Sequence, residues 1–521
     1  MTKRFLWMTT LRETNWIKDH SQKKERGMSE SSLNSSPIKA RLGFWDAVNI
    51  IVGIVVGTSI FKVTNMIFSN VSGPWMGIGL WVLGGILSFI GALCYAELAT
   101  TYPKTGGDYV YLSRAFGPWM GFLFGWAQLA VIFTASISAM AYAFSDYTLK
   151  VFGDYLSKTI EPFGNRFPME TSVLLAAGSV ISLTILNFFG VKLGKTVQNF
   201  LTVVKIIGLA GIVIAGFFWG GNTSIYPVRQ APATNVGFAM IFIFYAFGGW
   251  NDSAFVAAEV KDVKRNIPRA LFFGIGIITF VYVLVILGYL YGIGFDGLRD
   301  SETPAAAVLQ NVFGESGSRG MSLVVMIAAL AALNGLIFTG SRIYSALGRE
   351  RRLFRILGTW NARFGSPIWS MMLQGLISVG FIALVGMKVG RDMFDSFLIT
   401  LGFSKGIPWD KAGSEFDTLV AGSAPVFWSF FLLTGIAFFV LRFKDPEIER
   451  PFKLKFPFFP IVPLIFCASC GFMLYKSGDF ARTLALIGIV PLVIGIPLYF
   501  INKFVLEKNS STSPKKESET S

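Results

Sequence analysis

Long uninterrupted apolar runs, separated by short polar segments, dominate the polarity pattern of the chain. Residues 171–189, 199–219, 269–291, 321–341 and 481–502 each come close to the roughly 20 apolar residues needed to cross a bilayer. The full pattern predicts twelve helical spans, at residues 44–69, 75–100, 119–146, 171–189, 199–219, 236–259, 269–293, 321–345, 367–387, 419–441, 456–476 and 481–502. A polar tail over 1–43 precedes them. Its one apolar patch, Phe5-Leu6-Trp7-Met8, is too brief for the core of a signal peptide. Met28 opens a Ser-rich stretch and is a second candidate start of translation. A Lys-, Ser- and Glu-rich tail over 503–521 has the composition of a disordered segment. The membrane region divides into spans 1–7 (44–293), spans 8–10 (294–441) and a last pair (456–502).

Composition agrees: 53% of the 521 residues are hydrophobic and 15% charged, against about 25% charged in soluble domains. The net charge of +15 changes the picture only in how it is distributed. Of the 46 Lys and Arg residues, 30 fall in the two tails and the even-numbered loops and 10 in the odd-numbered loops. The other six, Lys205 and Arg342 among them, fall within the bounds of spans. That asymmetry predicts cytoplasmic tails and a multi-pass protein of the cell membrane, and it removes the motive for a nucleic-acid reading. Cys94, Cys467 and Cys470 all fall in spans and read as packed thiols. No cofactor or metal is expected. The single histidine, His20, lies in a tail, so the spans hold none of the His-based constellations of membrane enzymes.

Two spans are interrupted. The first reads IIVGIVVGTSIF from Ile50 to Phe61, and the sixth reads FIFYAFGGWND from Phe242 to Asp252. Glycine costs about 1 kcal/mol relative to alanine inside a helix, and small polar side chains compete for its backbone hydrogen bonds. Matched Gly-rich interruptions in two halves point to the site of an inverted-repeat transporter. Gly84, Gly85, Gly91 and Gly208 read instead as close-packing positions.

A series of motifs carries a resemblance: Gly57-Thr58-Ser59-Ile60-Phe61; Tyr95-Ala96-Glu97-Leu98 with Tyr102-Pro103-Lys104-Thr105-Gly106-Gly107-Asp108-Tyr109; Phe122-Leu123-Phe124-Gly125-Trp126; Asn187-Phe188-Phe189-Gly190-Val191-Lys192 with Gln198; Glu259 with Arg265-Asn266-Ile267-Pro268-Arg269; Ser341-Arg342; and Arg450-Pro451-Phe452-Lys453. In this order, over about residues 44–500, they resemble the amino acid–polyamine–organocation (APC) superfamily, and within it the L-type amino acid transporter branch. The resemblance implies an all-α fold of twelve transmembrane helices. Ten form a five-plus-five inverted repeat of the leucine-transporter type, with helices 1 and 6 discontinuous, and two are peripheral. Ser59 stands where the family usually has a second glycine of this element. No cysteine lies in the third-to-fourth-span loop, so the disulfide that joins animal relatives to a heavy chain cannot form there. A heavy-chain subunit is therefore not expected.

A zwitterion at the bilayer midplane needs both charges satisfied, and broken helices can do this with backbone groups. Free N–H groups beyond Gly57, on Thr58, Ser59 and Ile60, suit a carboxylate. Carbonyls before the breaks, on Ile54, Val55, Phe244 and Phe247 beside Gly248, suit the ammonium. The resemblance implies that Tyr245 is an aromatic gate over substrate, where a ring face gains about 0.5–2 kcal/mol against a cation. It also implies that Lys205 stands where sodium-coupled cousins hold an ion. Asp252 is expected to cap the resumed helix or to lie outside the pocket, with recognition of a cationic side chain as the alternative. Arg342 is expected to hold topology. The function expected is sodium-independent secondary transport of an amino acid, by proton coupling or exchange. The alternatives are a carrier-fold sensor without net flux and a sodium-coupled symporter.

Overall fold

The computed structural model describes residues 42–511 apart from 105, 165–169, 221–223, 230–233, 302, 351, 362 and 412. The expectations for residues 1–41 and 512–521 lie outside the described residues. The described residues form one compact unit. Its regular elements are helical: α1 (Phe44–Val55), α2 (Ser59–Lys62), α3 (Thr64–Phe68), α4 (Pro74–Thr101), α5 (Asp108–Phe116), α6 (Pro118–Ala127), α7 (Phe133–Gly164), α8 (Thr171–Phe188), α9 (Val191–Trp219), α10 (Val236–Phe247), α11 (Val263–Asp300), α12 (Pro304–Glu350), α13 (Ile368–Gly386), α14 (Lys388–Thr400), α15 (Glu415–Lys444), α16 (Phe458–Ala481) and α17 (Leu486–Ser511).

Among the described residues, ten stretches are long and apolar enough to cross a bilayer, against twelve predicted spans. Both differences have a physical cause. The predicted sixth span is not one long helix: α10 has 12 residues, about 18 Å at 1.5 Å per residue, and the chain then winds as a 3-10 helix over Trp250–Glu259. The last two predicted spans form one helical stretch, Phe458–Phe504, of 47 residues. An unbroken helix of that length would run about 70 Å, more than twice the hydrocarbon thickness. A short 3-10 turn at Arg482–Ala485 divides it, with Arg482 at φ 45°.

Two further departures from regular winding shape the bundle. Between α6 and α7 the third span passes through a π turn, Gln128–Ile132, a form that often marks functional sites. α14 lies in a segment predicted as loop and buries only Phe394 and Leu398.

Close approach of helices rests on glycine, as membrane packing requires. A Cβ on Gly84 would meet Ile243 at 2.3 Å, one on Gly85 would meet Thr279 at 2.4 Å, one on Gly91 would meet Trp250 at 2.8 Å, and one on Gly208 would meet Val324 at 2.1 Å. Large apolar side chains such as Phe200, Ile207, Phe280 and Leu376 are exposed on the outer faces of the spans. This is the arrangement a hydrocarbon solvent favours.

The ends of the spans on the side expected to be cytoplasmic are tied by buried ions. Glu97, with no exposed surface, accepts hydrogen bonds from Arg442 (2.8 and 2.6 Å) and from the Leu454 N–H (2.8 Å), with Arg450 at 3.4 Å. Arg342 is equally buried and pairs with Glu259 at 3.2 Å. Its guanidinium also lies 3.4 Å from the centre of the Phe338 ring. Arg342 is thus a packed internal ion rather than a solvated topology signal.

Candidate functional site

Both interruptions predicted from glycine are present. α1 ends at Val55, residues 56–58 bend, and α2 begins at Ser59. Across this break the Val56 N–H donates to Val52, the Gly57 N–H to Val55, and the Phe61 and Lys62 N–H groups to Thr58. None of these bonds uses the N–H of Thr58, Ser59 or Ile60. α10 ends at Phe247; Gly248 is extended, at φ −60° and ψ 148°. Gly249 then takes φ 97°, a left-handed conformation that favours glycine.

The two breaks face a common cavity. Measured as room for the centre of a water-sized sphere, it is about 130 Å³, many times the ~10–15 Å³ that one water needs. Ile54, Val55, Gly57 and Ser59 line it from the first break, and Ile241, Phe244, Tyr245, Gly248, Gly249, Asn251 and Asp252 from the sixth span. Gln128, Ile132, Phe133, Ser136 and Met140 contribute from the third span, Ala332 and Leu336 from α12, and Val420, Ser423, Ala424, Phe427 and Trp428 from α15. The lining is mostly apolar with a few convergent polar groups, the usual character of a small-molecule site.

Seven of the sequence-predicted residues therefore line the cavity: Ile54, Val55, Gly57, Ser59, Phe244, Tyr245 and Gly248. Thr58, Ile60 and Phe247 do not. Thr58 is fully buried, with its hydroxyl 3.2 Å from the Met140 sulfur. Ile60 is fully buried, and its carbonyl accepts from Thr64 at 2.7 Å. The Phe247 ring packs edge-on against Tyr282, centroids 5.3 Å apart. The Val55 carbonyl, proposed from sequence as an ammonium ligand, already accepts from the Tyr282 hydroxyl (2.8 Å) and the Gly57 N–H (2.7 Å). The same hydroxyl lies 2.9 Å from the Ala246 carbonyl.

Aromatic rings close the cavity wall. Phe244 stands edge-on to Trp428 at 5.2 Å, and Tyr245 edge-on to Phe416 at 5.7 Å. Lys62 sits over the other side of this group, 4.6 Å from the centre of the Phe416 ring and 2.8 Å from Asp146.

Lys205 lies behind the first break rather than in the cavity. It is fully buried, and its ammonium donates to the Gly53 carbonyl at 2.9 Å, so α9 is tied to α1 by a charge. Gln198, also on α9, reaches Gly53, since a Cβ there would meet its amide nitrogen at 2.6 Å. A chain of amides continues outward: Asn334 donates to Gln198 at 2.9 Å, and Asn187 donates to Asn334 at 2.7 Å. This links α9, α12 and α8. Sequence reasoning held Asn187 and Gln198 only as motif residues and missed Asn334, along with Tyr282 and Gln128.

Asp252 is the clearest revision. It neither lies outside the pocket nor caps a helix: it lines the cavity while only 5% exposed, two residues into the resumed 3-10 helix. Among the described residues no cluster of His, Cys, Asp or Glu could hold a metal ion.

Residues 42–501 match the family described as "Amino acid permease". The chain is 29% identical over 509 residues to a rat protein, "Large neutral amino acids transporter small subunit 2", covering 95% of this chain and 87% of the relative. It is 28% identical over 452 residues to the mouse "b(0,+)-type amino acid transporter 1", covering 85% and 84%. It is 27% identical over 477 residues to the mouse "Asc-type amino acid transporter 1", covering 90% and 82%.

Proposed function

The chain belongs to the amino acid permease family, and from that premise we propose that it is a sodium-independent secondary carrier of amino acids in the cell membrane. The observation that carries this reading is the cavity between two broken helices. An amino acid brings one carboxylate and one ammonium, and the two breaks together offer backbone N–H groups for the first and carbonyls for the second. Ser59, with its neighbours Thr58 and Ile60, supplies N–H donors for the carboxylate. The carbonyls of Ile54 in the first break and of Phe244 and Phe247 in the sixth span are the acceptors for the ammonium, while that of Val55 is already engaged by Tyr282. Tyr245 gates the cavity. In this reading the two breaks are equivalent positions of a five-plus-five inverted repeat, and both termini are cytoplasmic.

Sodium independence rests on Lys205. Its ammonium, bonded to Gly53 just before the first break, supplies a fixed positive charge where a bound cation would otherwise hold the break open. Transport then runs by proton coupling or by exchange of one amino acid for another.

The rat relative bears a name that makes it a small subunit of a transporter. The single-chain expectation is therefore set aside. The absence of cysteine between residues 147 and 170 speaks only against a disulfide at that loop.

The test is uptake of radiolabelled amino acids by purified protein in liposomes, with sodium and pH gradients imposed separately. Uptake without sodium is expected. Binding without flux would turn the reading into that of a sensor, and a strict sodium requirement would overturn the role of Lys205. Flux that needs amino acid inside the liposome and ignores pH identifies exchange.

A further inference from the structure

Among the described residues that line the cavity, Asp252 is the only charged one. It is 95% buried, and among the described residues neither a hydrogen bond nor an ion pair engages its carboxylate. The carboxylate is also turned back toward the break: one oxygen lies 3.8 Å from where a Cβ on Gly249 would stand. A buried carboxylate without a partner is costly, and ionisable groups within the membrane are functional unless something else accounts for them.

The other charged and titratable groups near it do not supply what it lacks. Asp108 on α5 is a second buried carboxylate, so it adds negative charge. Its Oδ1 accepts the hydroxyls of Tyr95 and Thr434, each at 2.6 Å, while its Oδ2 has no hydrogen-bond partner among the described residues. Tyr344 on α12 donates its hydroxyl to the Gln128 carbonyl at 3.2 Å. Among the fully buried basic residues, Lys205 is bonded to Gly53 and Arg342 to Glu259, and neither lines the cavity. Among the described residues that line it, the cavity therefore has one carboxyl group and no basic one.

We propose that the missing cation arrives with the substrate: Asp252 binds the side-chain ammonium or guanidinium of a cationic amino acid, making lysine- and arginine-like solutes the preferred cargo. The proposal rests on the carrier reading above, in which the helix breaks hold the α-carboxylate and α-ammonium. Asp252 lies beyond Gly248–Gly249 on the resumed helix, so it is placed for the far end of the substrate rather than for its α-groups. A neutral amino acid would leave the carboxylate buried without a counterion. A guanidinium or ammonium removes that penalty and gains a charge-assisted hydrogen bond.

The experiment compares arginine, lysine and leucine uptake at pH 7 in liposomes holding wild-type, Asp252→Asn or Asp252→Glu protein. Size-exclusion behaviour and thermal melting serve as the check on folding. Wild type is expected to favour the cationic pair. Asp252→Asn should lower the ratio of arginine to leucine uptake at least tenfold, and Asp252→Glu should recover part of that ratio. Wild-type protein that moves leucine but neither cationic amino acid would overturn this proposal and leave the carrier reading standing. So would an Asp252→Asn variant whose arginine and leucine uptake fall together. Leucine uptake that rises as external pH falls, and loses that dependence in Asp252→Asn, would make Asp252 a proton site instead. Absence of flux for every amino acid tried would overturn the carrier reading itself.

Discussion

The hydroxyl of Tyr282 donates to the carbonyl of Val55 across 2.8 Å, and the same oxygen lies 2.9 Å from the carbonyl of Ala246. One proton from α11 is therefore shared between the last turn of α1 and the last turn of α10. Both carbonyls belong to turns whose regular partners are lost at the breaks. Tyr282 thus couples the two ends that must move if substrate is to pass between them.

Tyr282→Phe keeps the ring and removes the proton. Taking the hydroxyl from the Ala246 carbonyl, and leaving that of Val55 with the Gly57 N–H alone, costs about 1–3 kcal/mol. The expected result is a melting temperature lowered by a few degrees and a several-fold loss of transport rate. Thermal unfolding of the detergent-solubilised protein together with uptake in liposomes measures both. A variant with wild-type melting and wild-type rate would remove Tyr282 from the coupling of the breaks.

Tyr245→Ala tests the gate. The ring lines the cavity and stacks edge-on to Phe416, so its loss should raise KM by roughly tenfold, equivalent to about 1.4 kcal/mol. Folding should be little changed, because Tyr245 is only partly buried while the adjacent Phe244 and Ala246 are fully packed. Unchanged uptake kinetics in a well-expressed variant would return the ring to a packing role.

Lys205→Ala deletes the charge between α9 and Gly53, and transport should fall to a few per cent of wild type or less. Lys205→Arg preserves the charge, but a planar guanidinium does not reproduce a compact ammonium, and it too should transport poorly. The discriminating readout is sodium: if Lys205 stands in for a cation, added sodium should leave wild-type uptake unchanged yet partly restore Lys205→Ala. A Lys205→Ala variant with wild-type flux would defeat the idea.

Asp445 offers a pH test outside the spans. Its carboxylate is held by Arg114 on two sides and accepts the Tyr102 hydroxyl at 2.8 Å. The Arg114 hydrogen bonds are the leading reason its pKa lies below the ordinary 3.8, and the same contact raises that of Arg114. A lowered folded-state value means that the contribution is complete above pH ~4. It is lost as pH falls through the lowered value. Arg114 is 45% exposed, so solvent screening limits the gain to about 1 kcal/mol. The difference in melting temperature between wild type and Asp445→Asn should be constant from pH 7 to 5 and shrink toward zero below pH 4. A difference that does not change with pH would show that the ion pair contributes nothing.

What could be read from the chain divides along physical lines. The breaks at Gly57 and at Gly248–Gly249 were legible because glycine and small polar residues carry a local cost inside a helix, whatever surrounds them. Lys205 was legible because a charge in an apolar run needs a reason. Tyr282 was not: a tyrosine in a span looks the same whether its hydroxyl meets two carbonyls or a lipid headgroup. Gln198 and Asn334 gained meaning only when the fold brought residues 136 positions apart to 2.9 Å. Asp252 was read as a cap from its local setting, yet the 3-10 winding of Trp250–Glu259 places it in the cavity wall. The sixth span failed as a continuous run because hydropathy measures transfer from water and carries no record of helix pitch.

The π turn at Gln128–Ile132 makes the third span a device for setting angular phase. Before it, the Trp126 indole donates to the Pro491 carbonyl at 2.8 Å, and a Cβ on Gly495 would meet the same indole at 2.2 Å. After it, Phe133, Ser136 and Met140 face the cavity. A π turn holds one residue more than regular winding, and each residue of an α-helix rotates the chain by about 100°. Deleting one residue here would hardly shorten the span; it would turn one half against the other by about that angle. Either the seat of α17 or the cavity wall would then point the wrong way, so along this helix residue number is counted in degrees.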